Sequence, residues 1–560
     1  MNIEKIRAAT KFALLVLVTA LVVPQSGRAW AEDLSQLPFD QAVRQLSSYA
    51  MDSSAAADST APATVPAPPP AVAPPSEFGW GGPSSDCGKE ADVSFLPRLV
   101  DTYERYLNWN GDPPLTPDQY RGAPSVVTNP PYPFASWPMG ATQSIGQPGG
   151  HFTPLMDTLY CGPYGQIMKD SRIQVYGWAD VGGNLSSSHT HFNIRTGYGG
   201  NNPRDYDVYP NTVQLDQATL YVERDPDEVQ TDHWDWGFRV ANLYGTDYKY
   251  TFAHDIFSNQ YIDEHKKMGY DPVMFYVDLY DPFVAMGMNI RVGRYISIPD
   301  IEAQLAPDNY TYSHSLLYGF DPYTQFGIVD TIKLTRNWTV QAEISAGNDV
   351  AVWDFKHAQI TPAVCVAYTT NSGNDTIYPC LNTIQDGKYN YNNLQHYVTT
   401  WYHHFDQKGF LKDWHTATET WFMYERSTPN YNHGPVPAGD EVPYFIPNAN
   451  GAICSGTQLR CTSDEYAFVN YLEYQWSPRL NFTIRNGFFD DFEGQRTGYK
   501  TAYQEATLAL TYWLGEMMEI RPEVTWEHAY NENVYDANPS TGVGRERNQF
   551  TFAMDIITHY

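Results

Sequence analysis

From residue 171 to its end the chain is written in short alternating runs. Between 338 and 347, Trp338, Val340, Ala342, Ile344 and Ala346 fall on one side of an extended backbone, and Thr339, Gln341, Glu343, Ser345 and Gly347 on the other. A strand inverts its side-chain direction at every residue, so such a run has one apolar and one polar face. The same period sets Leu480, Phe482 and Ile484 against Asn481, Thr483 and Arg485, and Leu508, Leu510, Tyr512 and Leu514 against Thr507, Ala509, Thr511 and Trp513. It sets Ile520, Val524 and Trp526 against Glu519, Arg521, Glu523, Thr525 and Glu527. Strands are expected to begin near Arg172, Thr212, Trp234, Val273, Met286, Tyr312, Thr324, Trp338, Leu394, Ala417, Tyr466, Leu480, Ala502, Met517 and Asn548.

Two architectures use this pattern. In a soluble sandwich the apolar face is the core; in an outer-membrane barrel it meets lipid and the polar face lines the lumen. Runs of about ten residues suit a tilted strand crossing a bilayer. Aromatic residues mark run ends, as Tyr466 and Trp476 or Tyr512 and Trp513 do, where an interfacial girdle places them. A short connection at 476–479 contrasts with a long one at 426–463, the asymmetry of periplasmic turns and outer loops. The last run carries Phe550, Phe552, Met554 and Ile556 on one face and ends on Tyr560. It resembles the assembly signal of outer-membrane barrels, with Phe552, Met554, Ile556 and Tyr560 as its elements; Thr558 stands where an apolar residue is more usual. The expected fold is all-β: a transmembrane antiparallel up-and-down barrel of about 14–16 strands over residues 171–560.

The region before it is different. Lys5, Arg7 and Lys11 precede an apolar run at 12–23, too short to span a bilayer as a helix, and Ala29-Trp30-Ala31 follows. This is the pattern of a signal peptide, 1–31, cut after Ala31. Residues 32–170 read as a periplasmic or plug-like, Pro-rich and mostly irregular extension, with a short amphipathic helix at 34–50, an extended spacer at 62–83 and a helix within 92–109. Proline fixes φ and lacks an amide donor, so the spacer cannot pack as a regular element. Export permits disulfides. Cys365–Cys380 and Cys454–Cys461 are expected as loop staples, leaving Cys87 and Cys161 as a third pair.

Composition narrows the classes. Tyr 42, Trp 15 and Phe 26 in 560 residues exclude a disordered chain. A mean hydropathy of −0.46 and the lack of a second long apolar run exclude a polytopic helical protein. A net charge of −29 opposes nucleic acid.

Four stretches carry a family resemblance: 214–227 (QLDQATLYVERDPD), 234–247 (WDWGFRVANLYGTD), 289–298 (NIRVGRYISI) and 306–328 (APDNYTYSHSLLYGFDPYTQFGI). They resemble the bacterial outer-membrane β-barrel porins of the type 2 family. The family's Gly-Arg/His-Phe step stands here as Gly293-Arg294-Tyr295, with Tyr295 in place of Phe. Its Asn-Tyr/Phe-x-Tyr-Ser-His-Ser step stands as Asn309 to Ser315. The resemblance covers 171–560, not the Pro-rich arm, and implies a barrel with a porin role.

Alternation turns Asp180, Arg239, Arg291, Glu343, Arg485, Glu505, Glu519, Arg521, Glu523 and Glu527 inward as candidate pore-lining groups. Opposed charges across a water-filled lumen sort ions; a salt-bridged wall is the plainer alternative. Ser313-His314-Ser315 invites a catalytic reading, but no Gly-x-Ser-x-Gly elbow or assured third partner accompanies it. His189/His191 and His403/His404 lack a further metal ligand, and Asp225–Glu228 and Asp490-Asp491 lack a calcium-loop spacing. The expectation is a Gram-negative outer-membrane porin for passive diffusion of small hydrophilic solutes or ions, not an enzyme, with no cofactor and no metal. Its partners are outer-membrane lipid, the barrel-assembly machinery, solutes and, as one assembly, further copies of itself. The alternative is a non-conducting barrel with an adhesion or structural role.

Overall fold

The structure is a computed structural model. It describes residues 94–108, 145–146 and 154–560, apart from 297, 386–393, 406–410, 412, 432–450, 478 and 516. Trp80–Tyr560 form one compact unit; the other, Met1–Gly79, lies outside the described residues. The expected signal peptide, the 34–50 helix, the 62–83 spacer and Cys87 also lie outside them.

Seventeen strands follow one another along the chain: β1 (Gln174–Tyr176), β2 (Trp178–Ser186), β3 (Val213–Arg224), β4 (Asp235–Gly245), β5 (Gly269–Asp281), β6 (Met288–Ile296), β7 (Thr324–Lys333), β8 (Trp338–Asn348), β9 (Thr361–Thr369), β10 (Asp375–Ile384), β11 (Leu394–His404), β12 (Trp414–Pro429), β13 (Arg460–Ser477), β14 (Leu480–Asp491), β15 (Ala502–Leu514), β16 (Met518–Ala529) and β17 (Asn548–His559). From β2 onward each pairs antiparallel with its sequence neighbour, and β17 returns to β2 from Thr551↔Ser186 to His559↔Trp178. The result is a closed antiparallel barrel of 16 strands; the short β1 adds to β3 as an extra strand. Closure leaves no sheet edge, which is what hydrocarbon requires of a sheet, because lipid offers no partner to a free N–H or C=O.

The two ends of the barrel differ. At one, Gly177 and Tyr560 exchange backbone hydrogen bonds of 3.1 and 2.9 Å, joining the start of β2 to the end of the chain. Connections here are brief, as at 334–337, 370–374 and 515–517; those at the opposite end are long, at 187–212, 246–268, 297–323, 430–459 and 530–547.

The expected faces are present. Val340, Ala342 and Ile344 point out, while Thr339, Gln341, Glu343 and Ser345 are buried within. Outward positions near the short-connection end carry Trp236, Trp401, Trp476 and Tyr512, and those near the other end carry Tyr244, Tyr466 and Phe550, all exposed. These two aromatic belts bracket a band of Val, Leu and Ile, as at a bilayer's two interfaces.

Three strand expectations change. No strand forms near Tyr312, which lies in the connection between β6 and β7. β9 and β10, absent from the expected set, occupy the stretch read as a Cys-stapled loop. The Cys365–Cys380 disulfide joins directly paired residues of these strands inside the barrel, so it is a rung and not a loop staple. Cys454–Cys461 closes part of the connection between β12 and β13, and reaches the first residues of β13.

Among the described residues, three helices precede the barrel: α1 (Phe95–Leu107), α2 (Pro154–Tyr160) and α3 (Gly165–Ser171). α1 is the helix expected within 92–109. It is tied to α2 by Arg98 Nη1 donating to Thr158 O (3.2 Å) and by Tyr106 Oη donating to Asp157 (2.9 Å). Tyr106 packs on Met517 in the β15–β16 turn. There Gly515 adopts φ +64°, and a Cβ would stand 2.1 Å from the Tyr106 carbonyl oxygen, so only glycine admits the helix this closely. Residues 145–146 dock at the same end: Lys333 Nζ donates to Ile145 O (2.8 Å) and Gly146 N to Glu228 O (2.9 Å).

The lipid-facing assignment has a direct consequence. Leu508 is 62% exposed at the middle of β15, flanked by Ile484 and Val524. Leu508→Arg is expected to destabilise the barrel by about 2–4 kcal/mol, and Leu508→Phe far less, in denaturant titrations of folding into lipid vesicles. Equal effects of the two would mean that Leu508 does not face lipid.

Candidate functional site

The lumen is the site. Its wall is made by the inward half of every barrel strand, and the β6–β7 connection lies across it. In a ring of 16 strands, β14 and β15 stand diametrically opposite β6 and β7. The connection reaches that far wall. Arg485 of β14 donates through Nη1 to Thr311 Oγ1 (3.0 Å) and to Ser313 O (2.5 Å), and through Nη2 to Ser313 Oγ (2.9 Å). Thr511 Oγ1 of β15 donates to Tyr310 O (3.2 Å). Arg521 of β16 donates through Nη1 to the carbonyl oxygens of Ala306 and Asn309 (2.7 and 2.9 Å), while its Nε holds Asp555 of β17 (3.0 Å). Glu523 accepts from Ser313 N (3.1 Å). To the sides, Tyr471 Oη of β13 donates to Glu302 (2.7 Å), Ile301 N to Glu419 of β12 (2.7 Å), and Gln217 Nε2 of β3 to Gln304 O (2.7 Å).

This arrangement answers a physical demand. A connection inside a barrel has no ladder partner, so its amides and carbonyls need side-chain partners instead. The wall's charged groups supply them, and charge-assisted bonds are the stronger kind. The connection also braces itself. Asn309 accepts from Ala303 N (2.8 Å) and donates to Ala303 O and Leu305 O (2.8 and 3.0 Å). Tyr312 donates to Asp216 of β3 (3.1 Å). A Cβ on Gly182 of β2 would stand 2.5 Å from the Tyr312 ring, so glycine makes the room. A second segment enters at the β2–β3 connection, where Arg204 donates to Glu527 (2.9 Å) and Thr551 Oγ1 (2.6 Å).

The charged candidates Asp180, Arg239, Arg291, Glu343, Arg485, Glu505, Glu519, Arg521, Glu523 and Glu527 are all buried. Arg239 pairs with Glu223 (2.5 Å) and Arg291 with Asp278 (2.8 Å), each from the neighbouring strand. Glu519 pairs with His559 (2.7 Å), and Glu505 stands 3.9 Å from Arg485. The candidate assembly residues Phe552, Met554 and Ile556 face outward. Tyr560 continues β17 beyond its last residue and donates its hydroxyl to Thr219 O.

The two motif steps of the sequence turn out to be anchors. Arg294 pairs with Asp271 (2.9 Å) and also donates to Thr251 O. His314 lies between Tyr206 and Tyr318, with ring centroids at 3.8 and 5.0 Å. Burial pushes its imidazole down to about 3, so it is neutral. Its Nε2 is 2.7 Å from the Ala303 carbonyl, which can only accept, so Nε2 carries the proton. Ser313 Oγ is held by Arg485, and Ser315 Oγ donates to Glu302 and accepts from Tyr318 N (3.2 Å). Neither hydroxyl is engaged by His314.

Groups missed from sequence are the loop-borne partners Arg204 and Glu302, which no periodicity marks; Asn309 was marked only as the first residue of the second motif step. Asp555 was legible, as an inward position of the last strand. Among the described residues, two clusters have metal-ligand types in reach of one another: His254, Asp354 and His357, and the buried trio Asp300, Asp321 and Glu419. In the second, burial, then Asp300 and Glu419 close by, pushes Asp321 well above the usual carboxylate range. Asp321 therefore favours its protonated form.

No curated protein matches the chain. Among solved structures it is similar to the anion-selective porin of Comamonas acidovorans, at 9% identity and TM-score 0.40, over 69% of this chain and 99% of that one. It is similar to the outer-membrane channel DcaP of Acinetobacter baumannii, at 9% and 0.41, over 69% and 97%. It is similar to opdK of Pseudomonas aeruginosa, at 10% and 0.36, over 69% and 98%. Residues 172–560 match the family model described as "Putative beta-barrel porin-2, OmpL-like". The barrel begins at β2, within this span, and family and closed barrel together indicate the outer membrane. The chain belongs to the β-barrel porin-2, OmpL-like family.

Proposed function

We propose that the protein is a restricted outer-membrane channel, a porin-type barrel for passive diffusion of small hydrophilic solutes or ions, and not an enzyme. The observation that carries this reading is the β6–β7 connection, held across a polar, charged lumen by the opposite wall through Arg485 and Arg521. Greasy residues outside and polar residues inside make an aqueous path through lipid. A connection pinned at mid-lumen narrows that path to what slips between fixed charges of both signs. The net charge of −29 favours cations at the mouth. Ser313, His314 and Ser315 are spent on anchoring, which supports the non-catalytic reading.

One observation favours the non-conducting alternative. The inward positions of β14 to β17 are buried almost without exception, as in a filled barrel. Planar-bilayer recording separates the two. The native chain is expected to show small, discrete conductance steps. Arg521→Met removes one end of a buried pair and two carbonyl bonds, a loss of about 3–5 kcal/mol. It is expected to enlarge the steps and to expose 301–320 to chymotrypsin, while Arg336→Met, on the exposed β7–β8 turn, changes neither. A native chain and an Arg521→Met variant that insert but both stay silent would establish the non-conducting barrel.

A further inference from the structure

Two connections meet at the long-connection end of the barrel, one between β4 and β5, the other between β8 and β9. His254 of the first forms an isolated parallel bridge with Val350 of the second. Its N–H donates to Asp349 O (2.7 Å), and its carbonyl accepts from Ala351 N (3.0 Å). Two backbone bonds thus fix where the His254 side chain starts.

Asp354 and His357 stand one turn apart on the second connection. Asp354 Oδ1 accepts from Lys356 N and His357 N (3.3 Å each), and its main-chain oxygen accepts from His357 N (3.0 Å) and Ala358 N (2.8 Å). The turn is therefore held by Oδ1 and the backbone. Oδ2 faces both imidazoles: His254 Nδ1 at 2.5 Å and His357 Nδ1 at 2.7 Å, with the rings 4.1 Å apart. Asp354 and His357 are buried; His254 is 25% exposed and opens the cluster to solvent on one side.

We propose that His254 Nδ1, His357 Nδ1 and Asp354 Oδ2 form a site for a divalent transition metal of the zinc class, which clamps the two connections together. Two imidazoles and one carboxylate are a donor set for zinc, whereas magnesium and calcium take oxygen-rich sets. Tetrahedral ligands at about 2.0–2.2 Å from zinc lie roughly 3.3 Å from one another, so small side-chain rotations open the present contacts enough to admit the ion. Solvent on the His254 side supplies the fourth ligand. The site does not depend on whether the barrel conducts. The competing arrangement is a metal-free His–Asp–His hydrogen-bonded trio.

The test uses the full chain, without a histidine tag, folded in detergent and stripped with EDTA. Calorimetric titration with Zn2+ is expected to show one saturable equivalent that Mg2+ does not displace. The His254→Ala/His357→Ala double variant is expected to bind at least about tenfold more weakly. Asp354→Asn, which keeps the Oδ1 turn bonds, is expected to weaken binding as well. Zn2+ should slow chymotrypsin cleavage at exposed Phe257 and Phe355 in the native chain and not in the double variant. Heat-modifiable gel mobility verifies folding, with His357→Gln as a milder substitute for the double variant. Absence of saturable Zn2+ binding, or equal binding by native chain and variants, overturns the proposal in favour of the metal-free trio.

Discussion

The backbone hydrogen bond that closes the sheet is the constraint from which the rest follows. Each peptide group left unpaired in hydrocarbon costs several kcal/mol, so a sheet with an open edge cannot stand in lipid. Here the closing seam is β17 against β2, extended by the exchange between Gly177 and Tyr560. The C-terminal residue is therefore part of the sheet's last bonds, and the start of the barrel and the end of the chain are fixed to one another at the short-connection end. The helices before the barrel gather at that same end, with Tyr106 on Met517 and residues 145–146 beside Lys333 and Glu228.

Closure then dictates what happens inside. Once the outer face is apolar, the strand period forces the alternate residues into the lumen, and these are charged or polar. Arg485, Arg521 and Glu523 are too costly to bury without partners. The β6–β7 connection has the complementary shortage: backbone groups away from water with no neighbouring strand. Each satisfies the other. The wall's guanidiniums take the connection's carbonyls, its carboxylates take the amides, and the connection is held by the wall it faces rather than by the strands that launch it. The same logic repeats at Arg204, Glu527 and Thr551.

Most of the barrel was legible in the sequence because the alternation is strong wherever lipid contact demands it, as at Ile344 or Leu508. It failed where contrast is weak. β9 turns Ala363, Cys365 and Ala367 inward and Pro362 and Val364 outward, so neither side reads as polar, and β10 carries Tyr378 and Cys380 within. The error near Tyr312 has the opposite cause. Tyr310, Thr311, Tyr312 and Ser313 alternate in character, yet all are buried, because the segment is surrounded by lumen wall instead of lying between lipid and water. Periodicity reports a difference between two faces, and this segment has none. The lumen's wall charges were readable from register. The loop-borne groups Glu302 and Arg204, which meet Tyr471 and Glu527 of the wall, were not, since they sit on irregular backbone and acquire a direction only from the fold.

Amide hydrogen exchange along 298–323 probes the central claim most directly, because it reads the bonds by which the connection is said to be held. The N–H groups of Ile301, Ala306 and Ser313 donate to Glu419, Gln217 and Glu523 of the wall. They should exchange as slowly as the strand amides of β14 and β15, and far more slowly than those of the outer segment 538–543. Exchange of these three at the rate of 538–543, with the strands still protected, would show that the connection does not lie bound across the lumen.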